Sequence, residues 1–178
     1  MKRVLMLTLL FAGLVGGIFC TSMVVRAEGS PMTEAHIARI RSNCIDAQSQ
    51  LTQLHATDAL LRVNRGQLYE LISTKLMSPF NSRLALNKLD DATLVSTSAL
   101  YDQQLMDFRL HYQQYEEAMS SLLKIHCVNQ PVAFYDSVSD ARAKRSKVHE
   151  STVKLQESIK SYGSALNSFI THFKEGKE

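Results

Sequence analysis

Few side chains in this sequence carry reactive or ligating chemistry: the thiols of Cys20, Cys44 and Cys127, six histidines, and the charged residues Asp58, Arg65 and Arg145, which fall where an apolar repeat asks for hydrocarbon. The histidines, His36, His55, His111, His126, His149 and His172, form neither an HExxH motif nor an i, i+4 pair able to seat a metal. His126 beside Cys127 lacks the further ligands of a tetrahedral zinc site. No GxSxG elbow, phosphate loop or pair of catalytic carboxylates can be named. The expectation is a chain with no metal, no cofactor and no enzymatic activity.

Two chemistries remain. Cys44 and Cys127 can form a disulfide, the default for a thiol pair in an exported domain. Asp58 and Arg145 can form an interior ion pair, hydrogen-bonded by Tyr112, with Arg62 one turn beyond Asp58 as a competing partner. The functional reading of these residues is a small polar cavity, lined by Asp58, Arg65, Tyr112 and Arg145, that binds a ligand. The structural reading is a pair that fixes helix register, with Arg65 extending its stem to water. Buried pairs roughly break even against apolar replacements, but removing one member costs about 3 to 5 kcal/mol.

These groups meet only if the elements carrying them align. After Arg26, apolar residues recur at steps of three and four, the pattern of a helix face drawn into a bundle. Helix one is expected over residues 32–77, with the stripe Ile37, Ile40, Cys44, Ala47, Leu51, Leu54, Leu61, Leu68 and Ile72. Ser30-Pro31 opens it and Pro79 ends it. Helix two is expected over 91–126, capped by Asp90 or Asp91, and carries Leu94, Tyr101, Leu105, Phe108, Tyr112, Tyr115, Met119 and Leu122. Helix three is expected over 131–173, opened by Pro131, with Phe134, Val138, Ala141, Val148, Leu155, Ile159, Tyr162, Leu166, Phe169 and Phe173 on one face. A charged tail, 174–178, follows.

The Ser78 to Asp90 connection is expected to place Leu84 to Leu86 as a short helical cap, and the Cys127 to Gln130 turn makes helices two and three antiparallel. No strand pattern appears. The fold class is therefore all-α: an elongated, antiparallel, coiled-coil-like three-helix bundle behind an N-terminal apolar helix. In that register Cys44 and Cys127 lie within about three residues of facing positions, less than one turn. Arg145 faces Tyr112, and Asp58 comes within reach of both.

Met1, Lys2 and Arg3 make a positive start, and Val4 to Val25 follow without a charge. About 20 apolar residues cross a bilayer as a helix, and positive charge keeps the preceding end inside. Residues 1–27 thus read as a signal peptide or a single membrane anchor, with 28–173 as an extracytoplasmic bundle. Val25-Arg26-Ala27 has the small residues of a cleavage site, while Gly13 and Gly17 make a GxxxG spacing suited to helix pairing in lipid. Gly17-Ile18-Phe19 before Cys20 departs from a lipoprotein site.

Lys2, Arg3 and Arg26 precede the first acidic residue, Glu28, so the remaining 17 basic side chains match the 17 acidic ones. A neutral domain gives no reason to expect nucleic acid as a partner. The layout resembles that of periplasmic helical chaperones, although Leu51-Thr52-Gln53 is only a fragment of the LTxxQ repeat of the stress-chaperone type. The expected function is a cell-envelope structural or protein-interaction module. It would bind a helical protein or itself through a helix face, and the membrane through residues 4–25 if that segment is retained. The alternative is a holdase-like chaperone or a small-ligand-binding bundle.

Overall fold

The structure is a computed structural model that describes residues 32–89 and 91–176. The apolar segment Val4 to Val25, the site after Ala27, Ser30-Pro31, Asp90 and the final two residues of the tail lie outside the described residues. The described chain is 89% helical and contains no strand, so it is all-α. Among the described residues no helix is long and apolar enough to cross a membrane.

The first rod is α1 (Glu34–Ser42), α2 (Cys44–Leu71), a π-helical turn (Ile72–Met77) and α3 (Ser78–Leu86). It starts at Glu34 rather than Met32 because Thr33, in extended conformation, accepts a hydrogen bond from the His36 N–H. Asn43 interrupts it: its side chain donates to the Arg39 carbonyl at 2.9 Å, and this competes with the helical bonding pattern.

The expectation that Pro79 ends the rod is overturned, since helix continues to Leu86. Proline in an α-helix clashes with the carbonyl four residues back. Here the turn before it is widened, with the Ser78 N–H bonded to the Ser73 carbonyl five residues back, and Pro79 occupies the first turn of α3. Leu84 to Leu86 therefore extend this rod instead of forming a separate cap. Beyond Leu86 the helix ends, and Lys88 takes a left-handed conformation with φ 58°.

The second rod is α4 (Ala92–Leu122), whose first turn is capped by Asp91 Oδ1, accepting from the N–H groups of Thr93 and Leu94 at 2.8 and 2.9 Å. It stops at Leu122, short of the expected His126. Its end tightens through an Ile125 N–H to Leu122 carbonyl bond, and the freed carbonyls of Ile125 and Val128 accept from Gln48 and Arg41 of the first rod. The third rod, α5 (Pro131–Glu175), begins at its proline as expected and runs two residues past Phe173.

α4 and α5 form the densest pairing in the fold. They run antiparallel, as Gln104 with Ser158 and His111 with Ser151 show. Leu94, Tyr101, Leu105, Phe108 and Leu155 fill one cluster, and Tyr115, Met119, Leu122, Cys127 and Phe134 fill the other. The first rod lies antiparallel to α4, fastened at one end by the Cys44–Cys127 disulfide, with Cα atoms 5.6 Å apart. At the other end, the Tyr101 hydroxyl donates to the Tyr69 carbonyl just before the π turn, and the Ser73 hydroxyl donates to Asp102.

Between these fastenings α2 packs loosely. Cys44 and Tyr69 are its only buried residues. Leu61 and Leu68, expected inside, are 45% and 53% exposed, and Tyr69 takes the inner position instead.

Candidate functional site

The middle of α2 carries Asp58, Arg62 and Arg65 on successive turns of one helix edge. Facing them are Tyr112 and Tyr115 of α4 and Arg145 and His149 of α5. Where loose packing leaves α2 standing off the other two helices, a cleft of about 200 Å³ opens, with Leu61, Phe108 and Val148 as its apolar wall. The four residues Asp58, Arg65, Tyr112 and Arg145 all line it.

Asp58 and Arg145 meet in a bidentate arrangement, with Arg145 Nε donating to Asp58 Oδ2 at 2.7 Å and its terminal nitrogen donating to Oδ1 at 3.1 Å. The pair is not interior: the Asp58 side chain is 11% exposed, but that of Arg145 is 51% exposed. A guanidinium retains most of its hydration in this position, so burial is borne by the carboxylate. Tyr115, not Tyr112, supplies the third hydrogen bond, donating to Asp58 Oδ2 at 2.7 Å. Tyr112 instead donates to Glu116 of its own helix at 3.1 Å.

Arg62 does not compete for Asp58 either. Its guanidinium lies over the Tyr112 ring, 5.0 Å from the centroid. Arg65 lines the cleft without a hydrogen bond or ion pair among the described residues.

The electrostatics follow from this arrangement. Burial pushes the Asp58 carboxyl up, but hydrogen bonds from Arg145 and Tyr115, and then the Arg145 charge, outweigh it and hold the group below the usual carboxylate range. Burial, followed by the hydrogen bond to Asp58, pushes the Tyr115 hydroxyl well up. The Tyr112 hydroxyl is pushed up to about 12, first by burial and then by the charge of Glu116. At neutral pH both phenols are therefore neutral donors and Asp58 is charged.

No family model, curated protein or solved structure matches this chain. Its chemistry must be read from its own residues. Among the described residues no group of histidine, cysteine and acidic side chains is placed to hold a metal ion. His126 is exposed beside a cysteine committed to a disulfide. His55 pairs with Glu116 at 2.5 Å and His111 with Ser151 at 2.7 Å, so these two belong to the bonding between helices.

Tyr115 on Asp58 and His149 in the cleft are the members that the sequence reading missed, and Arg62, expected to compete for Asp58, lies over Tyr112 instead. The place of Tyr115 one turn after Tyr112 in the same stripe could have found the first. His149 sits one turn from Arg145, a signal hidden by the solvated charges around it.

A second opening, about 520 Å³, lies along the start of α2 and α5, lined by Ile40, Ala47, Leu51, Leu54, Phe134 and Val138. Apart from the buried Phe134, these are core-stripe residues that the loosely laid first rod leaves partly exposed.

Proposed function

We propose that this chain is an extracytoplasmic helical interaction module that pairs, through the outer face of α2, with α2 of a second copy. The observation that carries the reading is a second apolar stripe on α2, turned away from α4 and α5. Leu60, Leu68 and Leu71 are 67%, 53% and 51% exposed. Asn64, Leu68 and Leu71 recur at steps of four and three, the spacing of a coiled-coil seam, and Leu60 lies one turn before Asn64. Monomers seldom leave a contiguous apolar patch of more than a few hundred Å² in water.

Asn64 argues for a second copy as the occupant. An amide in the middle of a leucine seam is costly against an apolar partner and is satisfied by another amide, which is how a lone asparagine fixes register. A two-fold axis beside Asn64 places Asn64 against its own image and the flanking leucines against one another. The Cys44–Cys127 disulfide supports an oxidising compartment, and the charge-free run from Val4 to Val25 supplies the means of export.

The test uses the full chain in intact cells with Asn64→Cys. Pairing about the two-fold gives a disulfide-linked species of twice the mass on non-reducing gels, lost when Leu68→Gln and Leu71→Gln are added. Peptide mapping verifies that Cys44–Cys127 is retained. Monomer alone, or a link to a different protein, would reject self-pairing. Free Cys44 and Cys127 thiols in freshly quenched cells would reject the oxidising compartment.

A further inference from the structure

The central cleft has an unbalanced charge. Arg62, Arg65 and Arg145 line it against one carboxylate, Asp58, in a chain whose basic and acidic residues are equal in number from Glu28 onward. Asp58 is fully engaged by Arg145 and Tyr115. Among the described residues neither Arg62, which is held over a ring, nor Arg65 has a carboxylate partner. His149 adds a further donor on the α5 side.

A structural role accounts for Arg145, which ties α5 to α2, but not for two more guanidiniums brought to the same opening. An exposed arginine on a solvated helix needs no explanation. Two that border one cleft, one of them oriented by a tyrosine, offer guanidinium donors to an incoming anion.

We propose that this cleft binds a small organic carboxylate, its carboxylate between Arg62 and Arg65 and its apolar body against Leu61, Phe108 and Val148. The lining favours this class over an inorganic anion because the cleft wall is mixed: cationic on the α2 edge and hydrocarbon or aromatic beneath. At about 200 Å³ it is smaller than the cavities that take drug-sized ligands, which span roughly 300 to 1,000 Å³. The occupant is therefore a compact acid such as a single ring or short chain bearing one carboxylate.

The proposal rests on the inner edge of α2 and is independent of pairing through its outer face. The experiment keeps the two apart by using the full chain in detergent micelles with Leu68→Gln and Leu71→Gln in place. Benzoate, phenylacetate, 3-phenylpropionate and hexanoate are titrated by calorimetry and by protein NMR shifts, beside benzamide and inorganic phosphate.

At least one carboxylate is expected to bind and to shift residues of the cleft, with benzamide and phosphate each weaker by roughly tenfold or more. Arg65→Gln is expected to weaken that carboxylate by roughly tenfold to a hundredfold, while Arg65→Lys restores part of the loss. Because Arg65 holds no other element in place, its variants are expected to keep the melting curve of the parent protein, so lost binding reports on the site. The proposal is overturned if none of the four acids binds, if benzamide or phosphate binds as well as the best acid, or if Arg65→Gln leaves affinity unchanged.

Discussion

Arg145→Ala is the most informative single change, because it separates the cost of an unpaired carboxylate from the cost of a lost contact. Exposed pairs couple by about 0.2 to 1 kcal/mol, and stripping a partner from a buried pair costs about 3 to 5 kcal/mol. With the Asp58 side chain nearly covered and that of Arg145 half in water, the coupling should fall between these limits, at about 1 to 2 kcal/mol.

The pH dependence fixes the sign. In the intact protein the folded carboxyl lies below its unfolded value, so its stabilisation is present above that value and is lost as pH falls through the folded pKa. Without Arg145, burial is opposed chiefly by Tyr115 and the folded value moves up. The variant therefore gains less stability than the parent as pH rises. The destabilisation by Arg145→Ala should therefore grow between about pH 3 and pH 6. Urea unfolding followed by circular dichroism, run as a cycle with Asp58→Asn at both pH values, measures it. A coupling near zero, or the same destabilisation at both pH values, would refute the reasoning.

Two further outcomes are expected. Replacing Cys44 and Cys127 with alanine opens a loop of sequence separation 83 and should lower unfolding free energy by at most about 4 to 5 kcal/mol on the chain-entropy account, read by denaturant unfolding against the oxidised parent. Pro79→Ala should change stability by less than about 1 kcal/mol, because the wide turn has already relieved the proline clash; a gain approaching 3 kcal/mol would mean that the clash persists.

The three rods and the antiparallel turn between α4 and α5 were legible because their signals are local: a repeat of three and four, a proline at a start, an aspartate at a cap. The phase of α2 was not. Its sequence carries two apolar stripes, and periodicity cannot choose between Leu61 with Leu68 and Tyr69 as the inner face. Packing chooses, since Tyr69 sets its ring edge-on to Phe108 and its carbonyl accepts from Tyr101.

The exchange of Tyr112 for Tyr115 has a related origin. Helix was expected to stop before Pro79, but it runs on to Leu86, so the residue of α4 facing Asp58 slides one turn toward the C-terminus. A π turn has no simple sequence mark, and a proline reads as a stop unless the widened turn before it is seen. The cleft was legible only in part: Asp58, Arg65 and Arg145 break the apolar pattern and Tyr112 lies in the α4 stripe that faces them, whereas Arg62 sits where any solvated arginine could.

The sulfur bridge also dictates how the molecule bears a pull. Tension gripping the N-terminal side runs through α1 to Cys44, crosses directly to Cys127 and continues into α5. The residues between the two cysteines hang from that line as a slack loop, so stretching the oxidised chain withholds roughly 290 Å of contour that reduction would release. The cleft wall supplied by α2 and α4 is thus shielded from strain along the backbone, and only α5 contributes to it from within the taut path.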